Sequence, residues 1–122
     1  LVIPVPIHKE KLKKRGFNHA ELIGRGFAKR AGLRFDTGAL IRTRETAPMK
    51  GLDPEQRRAN IRGAFNIRSS RLPDIKGSGI LLVDDIFTTG STIDEIASLL
   101  KQAGASRVDF LAYAATADMM IT

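Results

Sequence analysis

The stretch that most constrains this chain is ILLVDDIFTTGST, residues 80–92. Its four consecutive aliphatic residues, Ile80 to Val83, have the pattern of a strand buried on both faces, as in a parallel sheet covered by helices. Beyond the small-residue loop, Ile93, Ile96, Ala97, Leu100 and Ala103 recur at helical spacing, and Gly104 supplies a stop. Val108–Ala114 (VDFLAYA) then reads as another strand. Strand, loop, helix and strand in that order make a βαβ unit, so the expected class is α/β with a parallel sheet.

Two adjacent acids, Asp84 and Asp85, close the aliphatic run, and Thr88, Thr89, Gly90, Ser91 and Thr92 follow. In open α/β sheets ligands bind beyond the carboxyl ends of the strands, where a loop enters a helix. A helix N-terminus offers N–H groups and partial positive charge, which suits a phosphate. Gly90 permits close backbone approach, and the four hydroxyls add donors. Carboxylates in contact with that phosphate would repel it. One sugar length away they can accept from a cis-diol or hold a metal bound to it. The stretch therefore reads as a ribose-5-phosphate clamp. It is not a Walker loop, because the GK[ST] lysine is absent. The structural alternative is a helix capped by Ser91 or Thr92, with Asp94 or Glu95 completing a capping box and the aspartates solvated. It leaves two successive acids unexplained.

Earlier in the chain, LVIPVPI suggests a short strand whose Pro4 and Pro6 each remove a ladder donor and turn it into a loop. Asn18 with Glu21 fits a capping box, and Phe17 with Leu22 a hydrophobic staple. Ala20, Ile23, Phe27 and Ala31 mark the expected helical face, and Gly32 the stop. Strands are expected near Ala39–Arg42 and Ala64–Arg68. Between them, Thr43–Gly63 is charged and lacks a sustained apolar period, although Asp53 and Pro54 open a short helix. We expect this segment to be a mobile basic arm over the site, the alternative being a surface loop without a role. Ser69–Gly79 reads as a turn-rich linker.

The 122 residues, 43% hydrophobic and 27% charged, suit one globular domain spanning residues 1–122 and argue against a disordered chain. No apolar run approaches the roughly 20 residues of a membrane span, and the first residues lack the basic start of a signal peptide. The chain begins with Leu1 inside a strand-like segment, so an upstream segment is expected to be missing. The absence of cysteine excludes disulfides, thiolate zinc sites and a thiol nucleophile, and fits a reducing cytosol. The net charge of +7 is clustered at Lys9–Arg15 and across Arg42, Arg44, Lys50, Arg57, Arg58 and Arg62. Such clusters attract polyanions, nucleic acid or a pyrophosphate-bearing metabolite, although a solubilising surface is the plainer alternative.

VDDIFTTGST resembles the diphosphoribosyl-binding signature of type I phosphoribosyltransferases. In the same order along the chain, VIPVPIHKEKLKKRGFNHAELI and GLDPEQRRANIRGAF resemble the ComF-type subgroup, which is linked to natural competence and DNA uptake and includes GntX-like relatives. The resemblance implies a parallel-sheet core flanked by helices, with a flexible basic loop. It also implies 5-phosphoribosyl-1-pyrophosphate (PRPP) as ligand, with Mg²⁺. It assigns Asp84 and Asp85 to the ribose and, through PRPP, to the metal. Thr88, Thr89, Gly90, Ser91 and Thr92 fall to the 5′-phosphate, and Pro6, Ile7, His8 and Lys9 to the pyrophosphate loop. Arg57, Arg58 and Arg62 would close over the pyrophosphate, with Arg58 supporting the leaving group. Two features depart from the pattern. Thr88 stands where some members carry an acid able to act on the acceptor, and the cysteine-rich zinc-ribbon segment common in ComF-type proteins is absent.

A transferase of this kind would work by positioning, Mg²⁺ and cationic side chains as C1′ gains positive character. The acceptor is unmarked: no aromatic cluster outlines a base pocket, and Phe87 suits stacking and core packing equally. His19 reads as a surface residue, and His8 as a ligand contact or a bystander. A second class stays open, a non-catalytic module that senses PRPP or binds single-stranded DNA on the basic face. Partners would then be PRPP, single-stranded DNA and DNA-uptake proteins in the cytoplasm, with a dimer compatible. A purely structural role explains the acids least well.

Overall fold

A computed structural model describes residues 1–7, 12–14, 16–43, 51–87 and 91–115; the side chains of residues 57, 85–87, 91 and 113–115 lie outside that description. In chain order the elements are β1 (Val2–Pro4), α1 (His19–Ala31), β2 (Leu40–Arg42), α2 (Pro54–Ile61), β3 (Phe65–Ile67), a 3₁₀ turn (Ser69–Arg71), α3 (Leu72–Ile75), β4 (Gly79–Phe87), α4 (Ser91–Gln102) and β5 (Arg107–Ala115). Strands β1, β4 and β5 form a parallel sheet with β4 in the centre, and β2 pairs with β3 as an antiparallel ribbon. The expected α/β architecture, a parallel sheet flanked by helices, is what forms. Among the described residues no helix is long and apolar enough to cross a membrane.

The register explains how proline is tolerated in β1. Val2 N–H points away from β4, to Arg34 O at 2.8 Å, whereas Val5 N–H points toward it, to Val83 O at 2.8 Å. Pro4 shares the parity of Val2, so its missing donor falls on the side away from β4. On β4, side chains alternate between two covered faces. Ile80 and Leu82 join Ile3 in a buried cluster with Ile93, Ile96 and Leu100 of α4 and Phe65 of β3. Val83 joins Val2 and Ala28 of α1, with Leu81, Ile23, Phe35 and Leu111 packed against them. The aliphatic run was read as doubly buried for this reason, and it is.

Helix α1 starts and stops where expected but buries a different face. Asn18 Oδ1 accepts from Ala20 N–H at 3.0 Å, and Gly32, at φ 68°, ends the helix in the left-handed conformation. Glu21 does not complete a capping box; it pairs with Arg25 at 3.1 Å. Phe17 and Leu22 are 42% and 58% exposed and form no staple, and the Phe17 ring lies edge-on to His19 instead. The buried stripe is Ala20, Gly24 and Ala28, while Phe27 is 39% exposed and Ala31 is exposed. Close approach to the sheet decides this. A Cβ on Gly24 would lie 3.0 Å from Phe35 Cε1, with Val83 and Val2 just beyond.

Two further corrections concern extents. The Ser69–Gly79 segment is more than a linker, since it contains a 3₁₀ turn and α3, whose Ile75 is fully buried in the larger cluster. Strand β4 continues past Val83 through both aspartates to Phe87.

Candidate functional site

The carboxyl ends of β1 and β4 lie side by side. After the Val5–Val83 hydrogen bond, Pro6 and Ile7 are half-buried and leave the sheet next to Asp84 and Asp85. Asn18 ties a third element to this edge. Its Nδ2 donates to Val5 O at 3.2 Å while its Oδ1 caps α1, so one side chain joins the end of β1 to the start of α1. The cap was legible from the sequence; the contact with Val5 was not, because nothing local signals it.

Asp84 and Asp85 stand within β4, not after it, with Asp84 opposite Ala112 of β5. Asp84 is half-buried and continues the Ile80–Leu82 parity, facing the side of the sheet that α4 covers. Beyond Phe87, residues 88–90 lead into α4 at Ser91. Thr88, Thr89 and Gly90 lie outside the described residues, as do His8, Lys9 and the side chains of Asp85, Arg57 and Ser91. Ser91 and Thr92 occupy the first turn of α4. Glu95 reaches outside α4: its Oε1 accepts from Gly63 N–H at 3.3 Å, across 32 residues of sequence.

Helix α2 opens as expected. Asp53 Oδ1 accepts from Gln56 N–H at 2.7 Å, and Gln56 Oε1 accepts from Asp53 N–H at 3.0 Å. Its last residue, Ile61, is 1% exposed and sits in the same cluster as Ile93 and Ile96 of α4. That anchor brings Arg58 and Arg62 to the first turns of α4, where they line a cleft of about 160 Å³ with Ile61, Asp94 and Glu95. The described part of the expected basic arm is thus a helix docked by its C-terminal end; residues 44–50 lie outside the description. Arg42, from the same charge cluster, lies over the Phe65 ring at 5.2 Å and is held against the ribbon.

This edge of the sheet offers both carboxylates and cationic groups. Two carboxylates stand on the central strand, a helix N-terminus follows directly, and a second helix supplies guanidinium groups. Among the described residues no three acidic or histidine side chains form a metal cluster. A metal held by Asp84 and Asp85 would draw its remaining ligands from bound oxygens or water, the usual situation of Mg²⁺ at phosphates.

This architecture is that of the type I phosphoribosyltransferases. The phosphoribosyl transferase domain profile matches residues 15–118, and the chain belongs to that family. The resemblance to its ComF-type members is borne out by two kinds of relative. The DNA utilization protein YhgH of Escherichia coli O157:H7 is 37% identical over 107 residues, covering 88% of this chain and 45% of that protein. Competence protein F of Haemophilus influenzae is 31% identical over 107 residues, covering 88% of this chain and 46% of that protein. The chain thus spans about half the length of these relatives. Among solved structures, the glutamine phosphoribosylpyrophosphate amidotransferase of B. subtilis, complexed with ADP and GMP, superposes with a TM-score of 0.60 at 21% identity, covering 92% of this chain and 22% of that one. The allosteric regulatory enzyme of purine biosynthesis gives the same TM-score, 0.60, at 21% identity, covering 92% of this chain and 21% of that one. These likenesses establish the fold.

Proposed function

We propose that this chain binds PRPP with Mg²⁺ at the carboxyl edge of its sheet and transfers the phosphoribosyl group with release of pyrophosphate. One observation carries the proposal: β4 carries Asp84 and Asp85 a few residues before the start of α4, and α2 sets Arg58 and Arg62 beside the first turns of α4. The 5′-phosphate takes the first-turn N–H groups of α4 and the hydroxyls of Thr88, Thr89, Ser91 and Thr92, with Gly90 allowing close approach. Asp84 and Asp85 accept from the ribose diol. Pro6, Ile7, His8 and Lys9 follow β1 at the adjacent strand end, where backbone donors and the Lys9 ammonium meet the pyrophosphate.

As the C1′–O bond to pyrophosphate breaks, its electron pair leaves with the pyrophosphate oxygen. C1′ gains oxocarbenium character before bonding to the acceptor. The guanidinium groups of Arg57, Arg58 and Arg62 stabilise the departing charge and exclude water. Mg²⁺, when bound, neutralises the diphosphate. The carboxylates of Asp84 and Asp85 are hard oxygen donors that suit this ion.

A role in DNA uptake or use is supported by the names of the relatives, a DNA utilization protein and a competence protein; a cytoplasmic place and single-stranded DNA or DNA-uptake proteins as partners are part of the same proposal. Calorimetric titration of PRPP with and without Mg²⁺, with pyrophosphate release followed in the same samples, tests the proposal. Saturable Mg²⁺-dependent binding with release is expected. Binding without release would reduce the activity to sensing, and no binding at millimolar PRPP would overturn the proposal.

A further inference from the structure

We infer that Glu95 is a positioning residue that fixes the basic helix α2 against the first turn of α4; only its effect on ligand affinity rests on the PRPP proposal. Between α2 and β3 the chain turns at Gly63, whose φ of 73° is a conformation that favours glycine. Both backbone polar groups of this residue are held. Its N–H donates to Glu95 Oε1 at 3.3 Å, and its carbonyl accepts from Thr43 Oγ1 at 3.1 Å. The same hydroxyl also reaches Ala64 O at 3.1 Å. The corner is thus gripped by α4 on one side and by the end of β2 on the other.

This grip matters because, among the described residues, Ile61 is the side chain by which α2 enters the core. Its sequence, PEQRRANI, is polar apart from Ala59 and Ile61, and Ala59 is exposed. Burial of Ile61 fixes how near the helix end lies, but one side chain leaves rotation about it weakly determined. Gly63, two residues beyond Ile61, supplies the second point, and Glu95 is the α4 side chain that holds it. Arg58 and Arg62, four residues apart, lie on one face of this segment and line the cleft that Glu95 also lines.

Glu95→Ala and Glu95→Gln, each compared with the wild-type chain, test the inference by Gly63 amide exchange in NMR and by PRPP affinity. The glutamine keeps an oxygen that can accept from Gly63 N–H. Loss of the bond in Glu95→Ala should speed Gly63 exchange about tenfold and weaken PRPP binding about tenfold, whereas Glu95→Gln stays within about threefold of wild type in both. Rescue by glutamine, with an unchanged melting temperature, separates positioning from a general loss of structure. Unchanged Gly63 exchange in Glu95→Ala overturns the tie, and faster exchange with unchanged affinity overturns the positioning role. A wild-type chain that binds no PRPP removes the ligand proposal and that role with it, while Gly63 exchange still supports or overturns the tie.

Discussion

Helices α2 and α4 share one cleft but are held there by opposite means. Helix α4 carries its own apolar stripe: Ile93, Ile96 and Leu100 are buried against β4 and β3. Fully burying such side chains contributes roughly 1.5–3 kcal/mol each. Among the described residues, helix α2 commits Ile61 to the core, and its ends are held by the Asp53–Gln56 capping box and the Gly63 corner. The contrast separates two tasks. The helix that follows the two aspartates is built into the core, and the helix that carries Arg58 beside it is held at its two ends by polar contacts. Changes in the buried stripe of α4 should therefore be read in stability, and changes at the cations of α2 in ligand affinity.

Ile96→Ala should break the stability side of this contrast most strongly. The deletion leaves a cavity in the larger cluster and should lower the free energy of unfolding by about 2–5 kcal/mol, measured by urea denaturation. A loss under about 1 kcal/mol would mean that α4 is not core-anchored in this way. Next comes Arg58→Ala on the exposed face of α2. Removing one charge-assisted contact to the pyrophosphate should weaken PRPP binding about ten- to a hundredfold without moving the urea midpoint. Equal losses of affinity and stability would erase the distinction between the helices. The smallest effect is expected from Asp53→Ala, which removes the cap at a cost of about 1 kcal/mol confined to α2. Amides at the start of α2 should exchange faster while the global midpoint barely moves; a midpoint shift as large as that of Ile96→Ala would show that α2 belongs to the same cooperative unit.

The sequence was most legible where a local rule and the tertiary structure agree. The run Ile80–Val83, the α4 stripe, the Asn18 cap, the Gly32 stop and the Asp53 cap with Pro54 all follow from spacing or from the donor needs of helix ends. The buried face of α1 was misjudged because hydrophobicity favours Phe27, whereas the sheet and Phe35 require a residue without a side chain at Gly24. Spacing along the chain carries no information about that approach. Ile75 was lost in a stretch rich in turn formers for a related reason: a single core contact gives no periodicity. At the candidate site, the acids and the Thr-Gly-Ser-Thr loop stood out as adjacent residues. Glu95 looked like a capping residue, because its partner Gly63 is 32 positions away.

The central claim, that the two aspartates on β4 and the opening of α4 form one PRPP site, is tested most directly by Asp84→Asn with Asp85→Asn. The double change keeps side-chain size and removes both negative charges. PRPP affinity with Mg²⁺ should fall at least about a hundredfold, with an unfolding midpoint close to that of the wild type. Unchanged affinity in a folded double variant would contradict the account.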